Sequence, residues 1–165
     1  MSKSNRKAIR AAGAGLALGG VALAAATLYT EVMTSLVARR RTPTTDTLTA
    51  IATGKPIPPL DPVIREKADA LLAAPTETVA IRSKEGYVLR AHWYPATDAK
   101  RIIILAHGWH GSWNVDFSLS SPFLHDNQCS LLLIDQRCHG QSGGDLISYG
   151  INERYDVLAW LEKHI

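Results

Sequence analysis

The sequence predicts an α/β fold built on a parallel sheet, preceded by a hydrophobic N-terminal helix. Three features carry that expectation. Two unbroken apolar runs, Ile102-Ile103-Ile104-Leu105 and Leu131-Leu132-Leu133-Ile134, look like strands covered on both faces. Each run enters a glycine-containing loop, and helical patterns follow both, the order that gives a parallel sheet with right-handed crossovers. Upstream, residues 11–30 are Ala, Gly, Leu and Val throughout, save Thr27, Tyr29 and Thr30.

That N-terminal run just meets the ~20 apolar residues needed to cross a bilayer. Lys3, Arg6, Lys7 and Arg10 precede it, and Arg39, Arg40 and Arg41 follow it. The excess of positive charge before the run favours a cytoplasmic N-terminus, hence an extracytoplasmic folded part. The reading is a basic N-terminus (1–10) and a single-pass signal anchor (11–33) in the cell membrane. The alternatives are secretion after cleavage near Ala22-Leu23-Ala24, and a soluble Ala-rich helix.

Residues 34–75 read as a linker containing one short helix. Thr42 to Thr53, Gly54, and Pro56, Pro58 and Pro59 compose a stretch unsuited to burying a core. Asp61-Pro62 looks like a helix start, with Asp as cap and Pro at the first helical position. Ile64, Ala68, Leu71 and Leu72 would form its apolar face, and Pro75 would stop it.

The folded part, 76–165, opens as a hairpin. Thr78–Ile81 and Tyr87–Tyr94 read as strands around the turn Ser83-Lys84-Glu85-Gly86. Buried strands are expected at Arg101–Ala106 and Ser130–Asp135, with a helix over Phe117–Asn127 between them. A last helix, Glu153–Ile165 capped by Asn152, would bury Val157, Leu158, Leu161 and Ile165. Ligands bind such sheets beyond the carboxyl ends of the strands. The loops His107-Gly108-Trp109-His110-Gly111 and Gln136–Gly144 both leave those ends, so they should meet on one rim.

Composition narrows the function classes. A net charge of +3, with much of the basic charge flanking an apolar run, speaks for membrane topology and against a nucleic-acid footprint. Cys129 and Cys138 sit at opposite ends of a strand, roughly 30 Å of extended chain apart, and are read as free thiols. His107, His110 and His139 share the rim, but no carboxylate or cysteine stands at ligand spacing beside them, so neither a metal nor a cofactor is expected.

The stretch Ile102 to Gly108, followed by Asp135-Gln136-Arg137-Cys138-His139-Gly140-Gln141-Ser142, resembles the α/β-hydrolase superfamily. The likeness is to its serine-hydrolase branch of acylaminoacyl-peptidase-, lysophospholipase- and esterase-like enzymes. Asn152 to Trp160 resembles the helix that follows in those proteins, so the likeness covers 76–165 and only the N-terminal part of the hydrolase sheet. It implies acyl transfer from a small-molecule ester or amide to water, by a serine with a histidine base and an orienting acid. One oxyanion donor of that fold lies in the loop after the third strand, and the matching position is the backbone N–H of Trp109, with Gly108 allowing close approach. Asp135, Arg137, His139, Gly140 and Ser142 would shape the rim rather than move protons, the Arg137 fork being suited to tying down carbonyls or a carboxylate.

Gly140-Gln141-Ser142-Gly143-Gly144 fits the G-x-S-x-G signature of a nucleophile elbow. An elbow, however, sits between a buried strand and a helix N-terminus, whereas Ser142 lies beyond its strand and before more loop. Asp156 and His164, which follow in formal triad order, would lie ~12 Å apart along one helix. The nucleophile, acid and histidine are therefore expected beyond Ile165. The pattern ends inside a helix without a C-terminal cap and leaves a sheet edge uncovered after the fourth strand. Both features suggest a fragment or a truncated product, with a non-catalytic remnant or tethered binding piece as the alternative. A third reading is a relative with an aspartate nucleophile, such as a dehalogenase.

Overall fold

The computed structural model describes residues 3–40, 42–55 and 58–164. Arg41 of the basic flank, Pro56 of the linker and Ile165 of the last apolar face lie outside the described residues. The chain forms two compact units, 1–37 and 38–165.

The first unit is helical, within α1 (Lys3–Ala38). Ala and Leu dominate it and no proline interrupts it, which suits a long helix. Gly19–Ala38 are 20 residues with mean hydropathy 1.5, long and apolar enough to cross a membrane, a property that signal sequences share. Val21, Leu23 and Leu28 are each about two-thirds exposed.

The second unit starts with a departure from the sequence reading. Residues 43–53 form α2 (Pro43–Thr53) instead of an irregular linker. Proline suits a first helical turn, and Asp46 complements the helix dipole there. Thr53 Oγ1 donates back to Thr49 O at 2.8 Å, so a Thr-rich stretch satisfies its hydroxyl within the helix. Gly54 then adopts φ +67°, the left-handed step at which helices commonly end. Helix α3 (Pro62–Leu72) starts as expected, the Asp61 carboxylate accepting from Val63 N at 2.8 Å. Ala68 and Leu71 are buried, but Leu72 is 54% exposed and is not part of the packed face.

Four strands follow: β1 (Glu77–Arg82), β2 (Val88–Tyr94), β3 (Arg101–Ala106) and, after the short helices α4 (Trp113–Asp116) and α5 (Ser120–Asp126), β4 (Cys129–Ile134). The single helix expected over Phe117–Asn127 is thus two pieces. Helix α6 (Glu153–His164) closes the described chain. The sheet order is β1-β2-β4-β3. β1 and β2 pair antiparallel, β4 runs antiparallel to β2 (Ala91 opposite Ile134) and parallel to β3 (Ala106 opposite Ile134). The sheet is therefore mixed, the expected hairpin lying beside the expected parallel pair of apolar runs.

Because β4 inserts between β2 and β3, the outer position belongs to β3 and not to the fourth strand. All six β4 residues are buried, while Ile102 of β3 is 43% exposed, so β3 is not covered on both faces. Alternate β4 side chains build two cores. Leu132 and Ile134 pack with Ile81, Leu89, Ala91 and Trp160 of α6. Leu131 and Leu133 pack with Cys129, Leu71 of α3 and Trp113 of α4. Helices thus cover both sheet faces. In α6 the buried residues are Glu153, Asp156 and Trp160, while Leu158 is 51% exposed. The expected apolar face is rotated because two of its inward positions carry acids with partners in the preceding loop.

Candidate active-site rim

The loops after β3 and β4 meet at the carboxyl ends of those parallel strands and bond directly to each other. Gln136 N donates to His107 Nε2 (3.2 Å), the Gln136 side-chain amide donates to His107 O, and His110 N donates to His139 Nε2 (3.2 Å). With each Nε2 accepting, the Nδ1–H of His107 donates to Gly108 O and that of His139 to Arg137 O, both at 2.9 Å. His110 Nε2 pairs with Arg39 O at 3.1 Å. These three imidazoles cluster, with ring centroids 4.7 Å apart for His107–His139 and 6.2 Å for His110–His139. Both ring nitrogens of His107 and His139 are spent on backbone contacts, and no metal-binding group of three or more ligands exists among the described residues. Burial pushes the His139 pKa below the ordinary imidazole value against the opposing pull of its bond to Arg137 O, and His107 and His110 lower it further.

The first loop is pinned by a residue the sequence reading missed. Asp116, at the end of α4, accepts from Gly108 N at 2.7 Å. A Cβ on Gly108 would meet this carboxylate at an ordinary 3.5 Å, but one on Gly111 would lie 2.4 Å from it. Close approach therefore requires glycine at 111 and not at 108. His110 takes φ +52°, and Gly111 N closes the turn on Gly108 O at 3.0 Å. Trp109 stands between these fixed points, its indole 58% exposed and stacked on His110.

The second loop winds around buried polar groups. Asp135 Oδ2 accepts from Gln141 N at 2.9 Å. Gly140, at φ +46°, lies against the same carboxylate, where an added Cβ would come within 2.3 Å. Ser142 is fully buried. Its hydroxyl donates to Asp135 O (2.6 Å) and accepts from Arg90 N (2.8 Å), tying the loop to β2. That hydroxyl is oriented by backbone, out of contact with solvent and with any imidazole, so the G-x-S-x-G match has no elbow geometry. The Arg137 fork grips Asp156 of α6 in two bonds, Nε to Oδ2 at 2.7 Å and Nη2 to Oδ1 at 2.8 Å, and reaches Glu85 at 3.1 Å. Hydrogen bonding to Asp156 raises the guanidinium pKa against burial, with Glu85 adding to it. The same contact holds the Glu85 carboxyl below its usual range. Cys138 is buried and its thiol is pushed up by that burial, which leaves it protonated and unreactive.

His92 of β2 was unremarked in the sequence because its neighbours are distant along the chain. It stacks on Trp113 at 4.0 Å, and its buried Nε2 lies 3.7 Å from Asp135 Oδ2. A cavity of about 160 Å³ opens between the loops, lined by Gly108, Trp109, Gln136, Arg137, Tyr149 and Glu153, among others.

No family model matches the chain, and no curated protein does. Solved structures similar to it are α/β-hydrolase and esterase structures. An esterase from Pyrococcus furiosus is 25% identical over 64% of this chain and 39% of that one, with a TM-score of 0.48. An alpha/beta hydrolase from Penicillium sp. sh18 is 18% identical over 55% of this chain and 33% of its own, with a TM-score of 0.46. An alpha-beta hydrolase from Vibrio vulnificus is 15% identical over 75% and 44%, also with a TM-score of 0.46. The chain thus spans between a third and somewhat under half of the length of these three structures.

Proposed function

We propose that this chain supplies the oxyanion side of a membrane-anchored serine hydrolase that transfers the acyl group of a small ester or amide to water. The observation that carries the reading is the pinned turn at the end of β3. Gly108 N–H is spent on Asp116, Gly111 N–H on Gly108 O, and the loop is fixed to its neighbour through His107 and His139. By the resemblance to α/β-hydrolases, the Trp109 N–H would be the donor that meets a developing oxyanion, and Trp109 lines the cavity between the loops. A donor held in position before the reaction costs no reorganisation when charge develops.

The buried Ser142 hydroxyl is a structural tie. The attacking serine, its base and the acid are supplied from outside 1–165, and neither metal nor cofactor is required. Asp135, Arg137, His139 and Gly140 hold the rim in shape. The apolar helix serves as a single-pass anchor with the folded unit outside the cytoplasm; secretion after signal cleavage is the alternative outcome.

The test compares ester hydrolysis by the native membrane protein with Trp109→Ala, which keeps the backbone donor, and Trp109→Pro, which removes it. Loss of one such donor costs about 2.7–4 kcal/mol, or roughly 10²–10³ in rate. Proline should cost that much and alanine far less. Equal rates for the two variants would refute the assignment, and absence of hydrolysis in the native protein would favour a non-catalytic tethered piece.

A further inference from the structure

Residues 38–40, the first of the second unit, are bonded at and beside the candidate rim. Ala38, the last residue of the stretch Gly19–Ala38, accepts from Ile147 N at 2.6 Å through its carbonyl. The carbonyl of Arg39 pairs with His110 Nε2 at 3.1 Å. The guanidinium of Arg40 donates to Gly140 O at 2.6 Å and to Ser142 O. Arg39 and Arg40 are thus bonded to the two rim loops and Ala38 to the segment just after the second, and each residue adds at most ~3.8 Å of reach.

Large apolar side chains also face outward on these loops, as Leu72, Leu119 and Phe123 do elsewhere in the unit. Trp109 is 58% exposed, Leu146 48%, Tyr149 59% and Ile151 65%. Trp109 and Tyr149 both line the cavity between the loops, so its mouth is aromatic. At the opposite ends of the strands the exposed residues are of another kind, Thr97, Asp98, Lys100 and Asn127. Tryptophan and tyrosine favour the headgroup zone of a bilayer, where the ring is sheltered and the polar edge stays wet.

We infer that this rim seats on the phospholipid surface, with the Trp109 and Tyr149 side chains in the headgroup zone, so that the cavity mouth opens at the interface. A molecule entering the mouth would then come from among membrane-partitioned amphiphiles. The inference rests on the anchor reading, because the pinned Ala38 places the rim at the bilayer only if the run that ends there spans it.

The experiment uses the full chain reconstituted in phosphatidylcholine vesicles, with tryptophan emission quenched by lipids brominated near the headgroup. Trp93, Trp113 and Trp160 are the other indoles, so the Trp109 contribution is read as the difference from Trp109→Phe. The expected result is a loss of emission with brominated lipid that Trp109→Phe abolishes and that Tyr149→Trp in the same background restores. A chain that floats with the vesicles and resists carbonate extraction, but whose quenching is unchanged by Trp109→Phe, would overturn the inference and leave the anchor standing. A chain that does not float with them overturns both.

Discussion

Replacing Asp156 by alanine removes both acceptors of the Arg137 fork at once. The two side chains are 3% and 4% exposed as residues and meet at 2.7 and 2.8 Å, so water cannot take the place of the lost carboxylate. Glu85 remains at 3.1 Å, but its side chain is 38% exposed and it offsets little. Stranding one member of a buried pair costs about 3–5 kcal/mol, a large part of the roughly 5–15 kcal/mol that holds a domain folded. Asp156→Asn keeps one acceptor and should cost less. The double change Arg137→Met with Asp156→Leu removes the charge and its desolvation together, and should recover most of the loss. The assay is urea unfolding of the full chain in detergent, followed by emission of Trp160, which is 1% exposed in the same core. An Asp156→Ala variant within about 1 kcal/mol of the parent, or a double variant as damaged as the single one, would refute a buried pair of this strength.

Other outcomes follow from the same geometry. Ser142→Ala should leave any hydrolysis mechanism intact yet lower stability by about 1–3 kcal/mol, because Arg90 N loses its buried acceptor; thermal melts together with a rate assay separate the two effects. Gly140→Ala should destabilise by about 1–3 kcal/mol through its positive φ alone, and shortening the opposing side chain with Asp135→Ala should relieve part of the clash in melts of the double variant. For Glu153, burial acts to raise the pKa, but hydrogen bonds from Ser148 and Gly150 outweigh it and hold the carboxyl below its ordinary value. Its stabilisation is therefore present above the unfolded carboxyl value and lost as pH falls through the lowered folded one; urea midpoints taken down the acid limb should fall less steeply in Glu153→Gln. Trp160→Ala should cost about 3–5 kcal/mol as a core truncation, read from the urea midpoint by circular dichroism.

What the sequence made legible was local. β3 falls at Arg101–Ala106 as the Ile-rich run requires, and Asp61 caps α3 through its own side chain. Strand order was not legible, because Ile102–Leu105 and Leu131–Ile134 look alike as apolar runs although, of these two strands, β4 is interior and β3 lies at the edge among the described residues. The face of α6 was misread for a related reason. Asp156 points inward because its partner Arg137 lies 19 residues away, and apolar periodicity cannot register a buried charge whose counter-ion comes from another element. At the rim, the two loops and their meeting were readable from strand ends. Asp116 and His92 were not, since an acid in a short helix and a histidine in a strand acquire meaning only from contacts across the fold.

The most direct test of the account is to map the adduct of a fluorophosphonate on the native protein in membranes of its source cells, with its intact mass. Peptides of this chain should belong to a labelled polypeptide heavier than 17.9 kDa, with the modified serine outside 1–165. An adduct on Ser142, or a native mass of 17.9 kDa with an adduct on any serine of this chain, would contradict it.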